Sequence, residues 1–423
     1  MSLKTSLILL TIVSVIADTM LLPFYPQFFQ QAFQYDSAQH VGFYIAACCF
    51  TVMTAFPLWA KVARRIHELH LWVVTQIVAA CLGIACYFST SLIEFWILSQ
   101  LMLVFKASYL LIYPFVMRLE EKDKHLGMVG LFSVLMHFGG IGGALLGGTV
   151  LQYFDPRDVY LMMAGSDLLQ VMVCTYLIVW LNIHWQPGAV SDSSASDSGP
   201  ANTEPANAKQ IDPSHQKQRQ QIKYFVFRLG LVTALFYFSA FLIRPFFTRY
   251  WQSFSDGFAA SDLVTGLVYS LPGWIALIGL WANQKFSSDK SSASLLFNAL
   301  LLGTVGLLIQ SAAQDWVVIL GRCVFAWAMF QATVRLEVLL FEISDPQYYG
   351  DDFSRMHFMQ NLGVISASFV VGSLVTYLSY QWTFYLAAGG FLVTSAVFYH
   401  FFNTLLKPTG TASDAAVEAA ITE

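Results

Sequence analysis

Long apolar runs alternate with short polar ones along this chain, and twelve of the apolar runs are long enough to cross a bilayer. A helix rises about 1.5 Å per residue, so roughly 20 apolar residues cover the roughly 30 Å of hydrocarbon. We therefore predict an all-α polytopic membrane protein. The predicted spans are residues 6–25, 41–61, 69–89, 94–116, 127–151, 158–181, 224–247, 263–283, 292–313, 316–340, 356–378 and 382–404.

One internal stretch breaks this pattern. Residues 186–222 are polar and rich in Ser, Pro, Ala and Gln, a composition that cannot bury a core. We predict that they form a disordered linker between two six-helix halves, residues 1–185 and 223–406. Residues 407–423 are also polar, and we predict that they form a disordered tail.

The two halves show signs of an internal repeat. The segment LLPFY at 21–25 aligns with IRPFF at 243–247, an offset of 222 residues, and Gly147 aligns with Gly372 at an offset of 225. These matches fall on helices with the same number in each half, which indicates a parallel six-plus-six repeat. The arrangement resembles that of major facilitator transporters.

The aligned prolines suggest where the first helix of each half ends. Proline removes a backbone donor and disfavours helix in the residue before it. Pro23 and Pro245 occupy the same place in the two repeats and are predicted to mark the outer end of that helix. Pro26 has Thr248 as its counterpart, and we predict that Pro26 begins the outer loop.

Composition supports a bilayer as the surrounding medium. Of the 423 residues, 57% are hydrophobic and 11% are charged, and a soluble protein with this balance would expose large apolar patches. Six cysteines all fall in apolar runs without a CxxC pair, which predicts neither a disulfide framework nor a metal site.

The basic residues predict the orientation. Fifteen Lys and Arg residues fall in segments on the side of the N-terminus, and only Arg157, Arg244 and Arg249 fall on the other side. By the positive-inside rule, both termini and the linker are cytoplasmic, and the predicted location is the inner membrane of a cell.

The fifth span is rich in glycine. It carries the pattern Gly, eight residues, Gly, three residues, Gly, three residues, Gly-Gly, formed by Gly130, Gly139, Gly143, Gly147 and Gly148. Small residues on one face let another backbone approach closely. The pattern resembles the antiporter motif of the drug:proton branch of the major facilitator superfamily, with Ala144 in place of its proline. The resemblance implies an exporter with this helix at the interface between the halves.

A charged group inside the membrane costs about 2.5–3.5 kcal/mol on insertion scales, so each one requires a reason. Asp18 shares one face of the first span with Thr11 and Ser14. Its carboxylate is a candidate for taking up and releasing a proton during transport. The alternative is a structural partner for a cation on another helix.

The fourth span carries a second polar stripe, with Lys106, Tyr109 and Tyr113 as candidates for substrate binding. Lys106 could hold an anionic substrate or pair with Asp18.

The fifth and sixth spans each carry one further ionisable group. Asp167 is a candidate for a second proton site, with a structural ion pair as the alternative. His137 is a third candidate, although a lone membrane histidine is more often a hydrogen-bonded filler.

The second half is richer in cations. Arg322 and Arg244 are predicted substrate ligands, whereas Arg335 is predicted to form an inner-gate or structural pair with Glu337 or Glu342. Within the spans, cations slightly outnumber acids, which favours an organic anion or zwitterion as the substrate.

These features favour proton-coupled export of a small organic molecule. As a whole, the chain also resembles bacterial exporters of carboxylate siderophores of the vibrioferrin type. The alternative is proton-coupled import of an anionic metabolite or ferric siderophore through the same scaffold. A membrane enzyme or sensor is disfavoured, because no P-loop, HExxH or GxSxG motif is present. We expect a monomer with no cofactor beyond the proton gradient and no nucleic-acid partner.

Overall fold

A computed structural model describes residues 3–63, 65–112, 115–116, 125–185, 213–285, 291–344 and 349–406. These residues form an all-α structure without strands. We name its helices α1 (Leu3–Thr19), α2 (Tyr25–Phe33), α3 (Ala38–Val62), α4 (Glu68–Phe88), α5 (Leu92–Lys106), α6 (His125–Tyr153), α7 (Asp158–Leu181), α8 (Pro213–Phe241), α9 (Phe247–Gln252), α10 (Asp262–Lys285), α11 (Ser292–Gln310), α12 (Asp315–Ile343), α13 (Tyr349–Tyr377) and α14 (Tyr380–Leu406).

The twelve predicted spans are confirmed. In the described part of the chain, eleven helices are long and apolar enough to cross a membrane, and α1 is a shorter apolar helix. The short helices α2 and α9 are not spans. The fold is therefore that of a twelve-helix membrane protein.

Serine side chains set the beginning of several helices. Ser37, Ser91 and Ser291 precede α3, α5 and α11, and each hydroxyl accepts a hydrogen bond from a backbone N–H of the first turn. These bonds satisfy donors that have no partner within the helix.

The predicted boundary of the linker requires a correction. Helix α8 begins at Pro213, so the segment 213–222, predicted to be disordered, is helical. Its polar composition hid this extension, since hydropathy detects only the part of a helix that lies in lipid. The rest of the linker, 186–212, and the tail, 407–423, lie outside the described residues.

The prolines of the repeat follow the ends of α1 and α8. Helix α1 ends at Thr19 and α8 ends at Phe241, and Pro23 and Pro245 lie in the turns that follow. The prediction for Pro26 was wrong: Pro26 lies in the first turn of α2 instead of a loop. Proline is tolerated there because its missing N–H would have no partner within the helix.

Close backbone contacts join the two halves at two helix pairs. On one side, α6 packs on α10: a Cβ on Gly266 would lie 2.5 Å from the carbonyl oxygen of Ala144, and one on Gly148 would clash with the carbonyl oxygen of Asp262. Only a residue without a side chain permits this approach.

The second helix pair repeats these contacts with a shift of 224 residues. Helix α3 packs on α13, where a Cβ on Gly42 would lie 2.5 Å from the carbonyl oxygen of Ser368. A Cβ on Gly372 would lie 2.8 Å from the carbonyl oxygen of Ala38. Gly372 is thus the structural counterpart of Gly148, which corrects its alignment with Gly147.

The glycines spaced by four residues on α6 face a different neighbour. Added Cβ atoms on Gly139 and Gly143 would clash with Val15 and Thr19 of α1, and one on Gly147 would clash with Met20 in the turn after α1, all in the same half. The predicted close packing is therefore confirmed, but this face joins two helices of one half. The interface with the other half uses Ala144 and Gly148. Gly130 lies in α6 as predicted.

Hydrogen bonds between the halves cluster at one end of the molecule, where α2 meets α9. Thr248 Oγ1 donates to the carbonyl oxygen of Pro23 at 2.7 Å, and Gln27 Nε2 donates to Gln252 Oε1 at 3.1 Å. The Arg249 guanidinium donates to Gln30 Oε1. We call this the closed end. It is the outer end in the predicted orientation.

Candidate functional site

Three charged side chains from three helices meet inside the N-terminal half. Lys106 Nζ on α5 donates to Asp18 Oδ1 on α1 at 2.6 Å and to Asp167 Oδ1 on α7 at 2.8 Å. Lys106 and Asp167 are buried, with side chains 8% and 1% exposed, whereas that of Asp18 is 37% exposed. We call Asp18, Lys106 and Asp167 the charge triad.

Local structure positions each member of the triad. Lys106 is the last residue of α5, where the α-helix passes into a 3-10 turn at Ala107–Leu111. Asp18 lies in the last turn of α1, and its Oδ2 accepts a bond from Ser14 Oγ at 3.4 Å. Gln170 of α7 in turn donates to Ser14 Oγ at 3.4 Å. The polar face predicted for the first span therefore faces the bundle interior.

The triad holds one more acidic than basic group. With both carboxylates ionised its net charge is −1, and uptake of one proton makes it neutral. A buried charge without compensation is costly, so low-dielectric surroundings favour the neutral form. Asp167 Oδ2 is buried and has no hydrogen-bond partner among the described residues. The cluster therefore has the chemistry of a site for one proton.

A cavity of about 340 Å³ lies between the two halves, and Thr19, the residue after Asp18, is part of its lining. Thr19, His137 and Gly140 line it from the N-terminal half. The C-terminal half contributes more of the charged lining, namely Arg244, Arg322 and Glu337, together with Tyr269. Asp18, Lys106, Tyr109 and Asp167 do not line the cavity.

The two cavity arginines have different surroundings. Arg322 is 5% exposed, and its Nε and Nη2 donate to the carbonyl oxygens of Val268 and Tyr269, both at 2.8 Å. Its guanidinium also lies 3.5 Å from the centre of the Phe247 ring. Pro272 explains one of these bonds: it lacks the N–H that would bind the Val268 carbonyl within α10. Arg322 is thus fixed by the backbone of α10.

Arg244 is exposed within the cavity. Its Nε donates to the Tyr269 hydroxyl at 3.1 Å. In the described part of the chain, no carboxylate lies within ion-pair distance of its guanidinium. Its outer N–H groups are therefore available to a carboxylate or phosphate, for which the planar guanidinium is well shaped.

The remaining predicted site residues lie as follows. Tyr109 is buried, and its hydroxyl has no partner among the described residues. Tyr113 lies outside the described residues. The predicted pairing of Arg335 is not formed in this structure: no ion pair joins it to Glu337 or Glu342 across the described ranges. Glu342 accepts a bond from Ser292, and Glu337 lines the cavity.

Sequence reasoning missed Tyr269 and Thr19. Tyr269 orients Arg244 through its hydroxyl, and Thr19 lines the cavity while donating to the Gly139 carbonyl at 3.2 Å. The sequence signal that could have indicated Tyr269 is Pro272, inside the eighth span. A proline there frees a carbonyl in mid-membrane, so donors and polar groups are expected nearby.

Comparison with known proteins identifies the class. The sequence model of the Major Facilitator Superfamily matches residues 7–336, and the chain belongs to this superfamily. It is a membrane transporter that moves small molecules by alternating access. A comparison with curated protein sequences gave no match.

Solved structures agree on the fold. The nucleoside transporter NupG is 14% identical with a TM-score of 0.68, over 96% of this chain and 100% of that one. A D-xylose–proton symporter is 13% identical with a TM-score of 0.70, over 94% and 98%. A bacterial homologue of the iron transporter ferroportin, in an inward-facing state, is 15% identical with a TM-score of 0.67, over 95% and 99%. At these identities, the similarity concerns the fold alone.

Proposed function

We propose that this transporter exports a small organic anion or zwitterion, siderophore-like or drug-like, in exchange for protons. The observation that carries the proposal is the Arg244 guanidinium, exposed in the cavity without a carboxylate partner in the described part of the chain. A transporter for lipophilic cations would be expected to place unpaired acids there instead. Arg322 and His137 line the same cavity, and Glu337 gives a zwitterion one acidic partner.

The charge triad supports proton coupling. Asp18 is followed by Thr19, which lines the cavity and packs on Gly143 of α6. A change of charge at Asp18 would therefore act on the helix end that forms the cavity wall. The triad is neutral after uptake of one proton, so the proton and the anionic substrate can bind at separate but adjacent places.

The glycine pattern of α6 supports export, through its resemblance to the drug:proton antiporter motif. The asymmetry of basic residues supports an inner-membrane location with both termini cytoplasmic. In this orientation the closed end faces outward and the substrate enters from the cytoplasm.

The test is transport into inside-out membrane vesicles with an acidic interior, using carboxylate siderophores and fluorescent organic anions as probes. We expect accumulation that depends on the proton gradient. Asp18→Asn should abolish this accumulation but retain exchange of labelled for unlabelled substrate. Accumulation only in right-side-out vesicles would favour import, and accumulation without a gradient would contradict proton coupling.

The role of Arg244 is tested in the same vesicles. A hydrogen bond to a charged group contributes about 1.5–3 kcal/mol, so Arg244→Gln should raise KM roughly 10- to 150-fold. Arg228→Gln is the matched control, because Arg228 stacks on Tyr224 near the middle of α8 and does not line the cavity. An unchanged KM in Arg244→Gln would remove Arg244 from the substrate site.

A further inference from the structure

A second cavity, of about 350 Å³, lies apart from the transport site, between α8 and α13. Two cations line it, Lys223 from α8 and Arg355 from α13. The aromatic rings of Phe227 and Phe358 line it as well, together with Ser354. We propose that this cleft binds an anionic phospholipid, whose headgroup contacts Lys223 and Arg355 and whose acyl chains lie against the two rings.

The depth of these residues in the membrane supports a lipid as the occupant. The predicted spans of the two helices begin at residues 224 and 356, so Lys223 and Arg355 each lie directly before the start of a span. This is the level of the lipid headgroups. The two aromatic rings lie about one turn deeper, at the level of the upper acyl chains.

The exposure of the two aromatic rings also supports a lipid as the occupant of the cleft. The side chains of Phe227 and Phe358 are 55% and 53% exposed, although both line the same cleft. A free phosphate ion would leave this apolar surface uncovered, whereas acyl chains would cover it. A lipid therefore matches the cleft over its whole length.

Packing explains why the cleft is open at this end. Further along the helices, a Cβ on Gly230 would lie 3.1 Å from Met359 Cγ, and one on Gly363 would clash with the Ala234 carbonyl oxygen. These glycines hold α8 and α13 in close contact. On the side of Lys223 and Arg355, the side chains that the structure describes are larger, including those of Phe227 and Phe358, and they leave a wedge.

Charge selects an anionic lipid over a neutral one. Among the side chains that the structure describes, no carboxylate lies within ion-pair distance of Lys223 or Arg355. The nearby Asp352 is buried and accepts a bond from Ser344 at 2.5 Å. The turns of α8 before Lys223 add Lys217 and Arg219. Clusters of basic residues beside a span attract anionic headgroups.

The test is native mass spectrometry of the full-length protein with added phosphatidylglycerol, phosphatidylcholine or inorganic phosphate. We expect retained phosphatidylglycerol at about tenfold or more over phosphatidylcholine. In the double variant Lys223→Gln/Arg355→Gln, this preference should disappear. The double variant Lys61→Gln/Arg65→Gln removes two basic residues beside α3 and should keep the preference.

Two outcomes would overturn the proposal. One is an undiminished preference for phosphatidylglycerol in Lys223→Gln/Arg355→Gln. The other is displacement of the lipid by inorganic phosphate at equal concentration, which would show a site for free anions. The variant Phe227→Ala/Phe358→Ala separates the two contributions: it should weaken retention of both lipids and leave the preference between them intact.

Discussion

Lys106 supplies one positive charge to two carboxylates, and its two neighbours differ in their access to water. Asp167 is buried, whereas Asp18 is partly exposed at the end of α1. Loss of the lysine would therefore affect the two acids unequally. Asp167 would be left as a buried charge without compensation, while water would still screen Asp18.

The first prediction concerns Lys106→Met. We expect it to lower the free energy of unfolding by about 3–5 kcal/mol, because one partner of a buried ion pair is removed. Adding Asp167→Asn should recover most of the loss, since the buried charge is then gone. The measurement is thermal unfolding in detergent. Asp18→Asn serves as the comparison and should cost about 1 kcal/mol or less. Equal losses in Lys106→Met and Asp18→Asn would contradict this interpretation.

The sequence reveals these residues but not their arrangement. Asp18, Lys106 and Asp167 stand out because each interrupts an apolar run, and a charge in such a run requires a partner or a function. That one ammonium serves both acids depends on where α1, α5 and α7 cross, which the pattern of a single helix does not contain. Likewise, Arg244 and Arg322 look alike in sequence, and only the packing of Arg322 on α10 distinguishes them.

At the scale of helices, α6 uses two faces for two neighbours. One face of small residues contacts α1, and the next contacts α10 in the other half. Gly140 differs from both, because an added Cβ there would meet nothing within 4 Å. Helix α6 thus contains glycines that close packing requires and one glycine, Gly140, that it does not require.

The second prediction compares Gly147→Ala with Gly140→Ala. The added methyl at 147 would clash with the Met20 carbonyl oxygen just after α1, and overpacking of this kind costs about 1–3 kcal/mol. The same methyl at 140 projects into open space and should be neutral or stabilising by up to about 1 kcal/mol, because alanine favours helix. Thermal unfolding in detergent measures both. Equal stability of the two variants would show that the α1 contact tolerates a side chain.

Helix positions were more predictable than helix ends. Lipid imposes apolar runs of a fixed length, so hydropathy located all twelve spans. Helices α1 and α8 each end at a turn that leads into a short helix, α2 or α9. These short helices are too small to leave a hydropathy signal, so the hydropathy pattern does not show where α1 and α8 end. The glycine spacing predicted close packing on α6, but which neighbour fills each face depends on the arrangement of the bundle.

At the scale of the whole molecule, the repeat determines how the halves meet. The contacts of α6 with α10 recur between α13 and α3, with a shift of 224 residues from Gly148 to Gly372. The short helices α2 and α9, which follow the first helix of each half, contact each other at the closed end. A transporter built in this way changes access by rocking one half against the other, so hydrogen bonds at one end stabilise one state.

The third prediction concerns that end. Thr248→Val with Gln27→Ala removes the bonds of Thr248 to Pro23 and of Gln27 to Gln252, at about 1 kcal/mol each. A loss of about 2 kcal/mol should shift the equilibrium roughly 30-fold towards the state that is open there. The measurement is the distance between spin labels on Asp36→Cys and Asp256→Cys, in a background without the six native cysteines. We expect a second, longer distance. Thr376→Val is the control, since its hydroxyl donates within α13, to the Gly372 carbonyl. An unchanged distance distribution in the double variant would mean that packing of α6 on α10 and of α3 on α13 holds this end closed without these bonds.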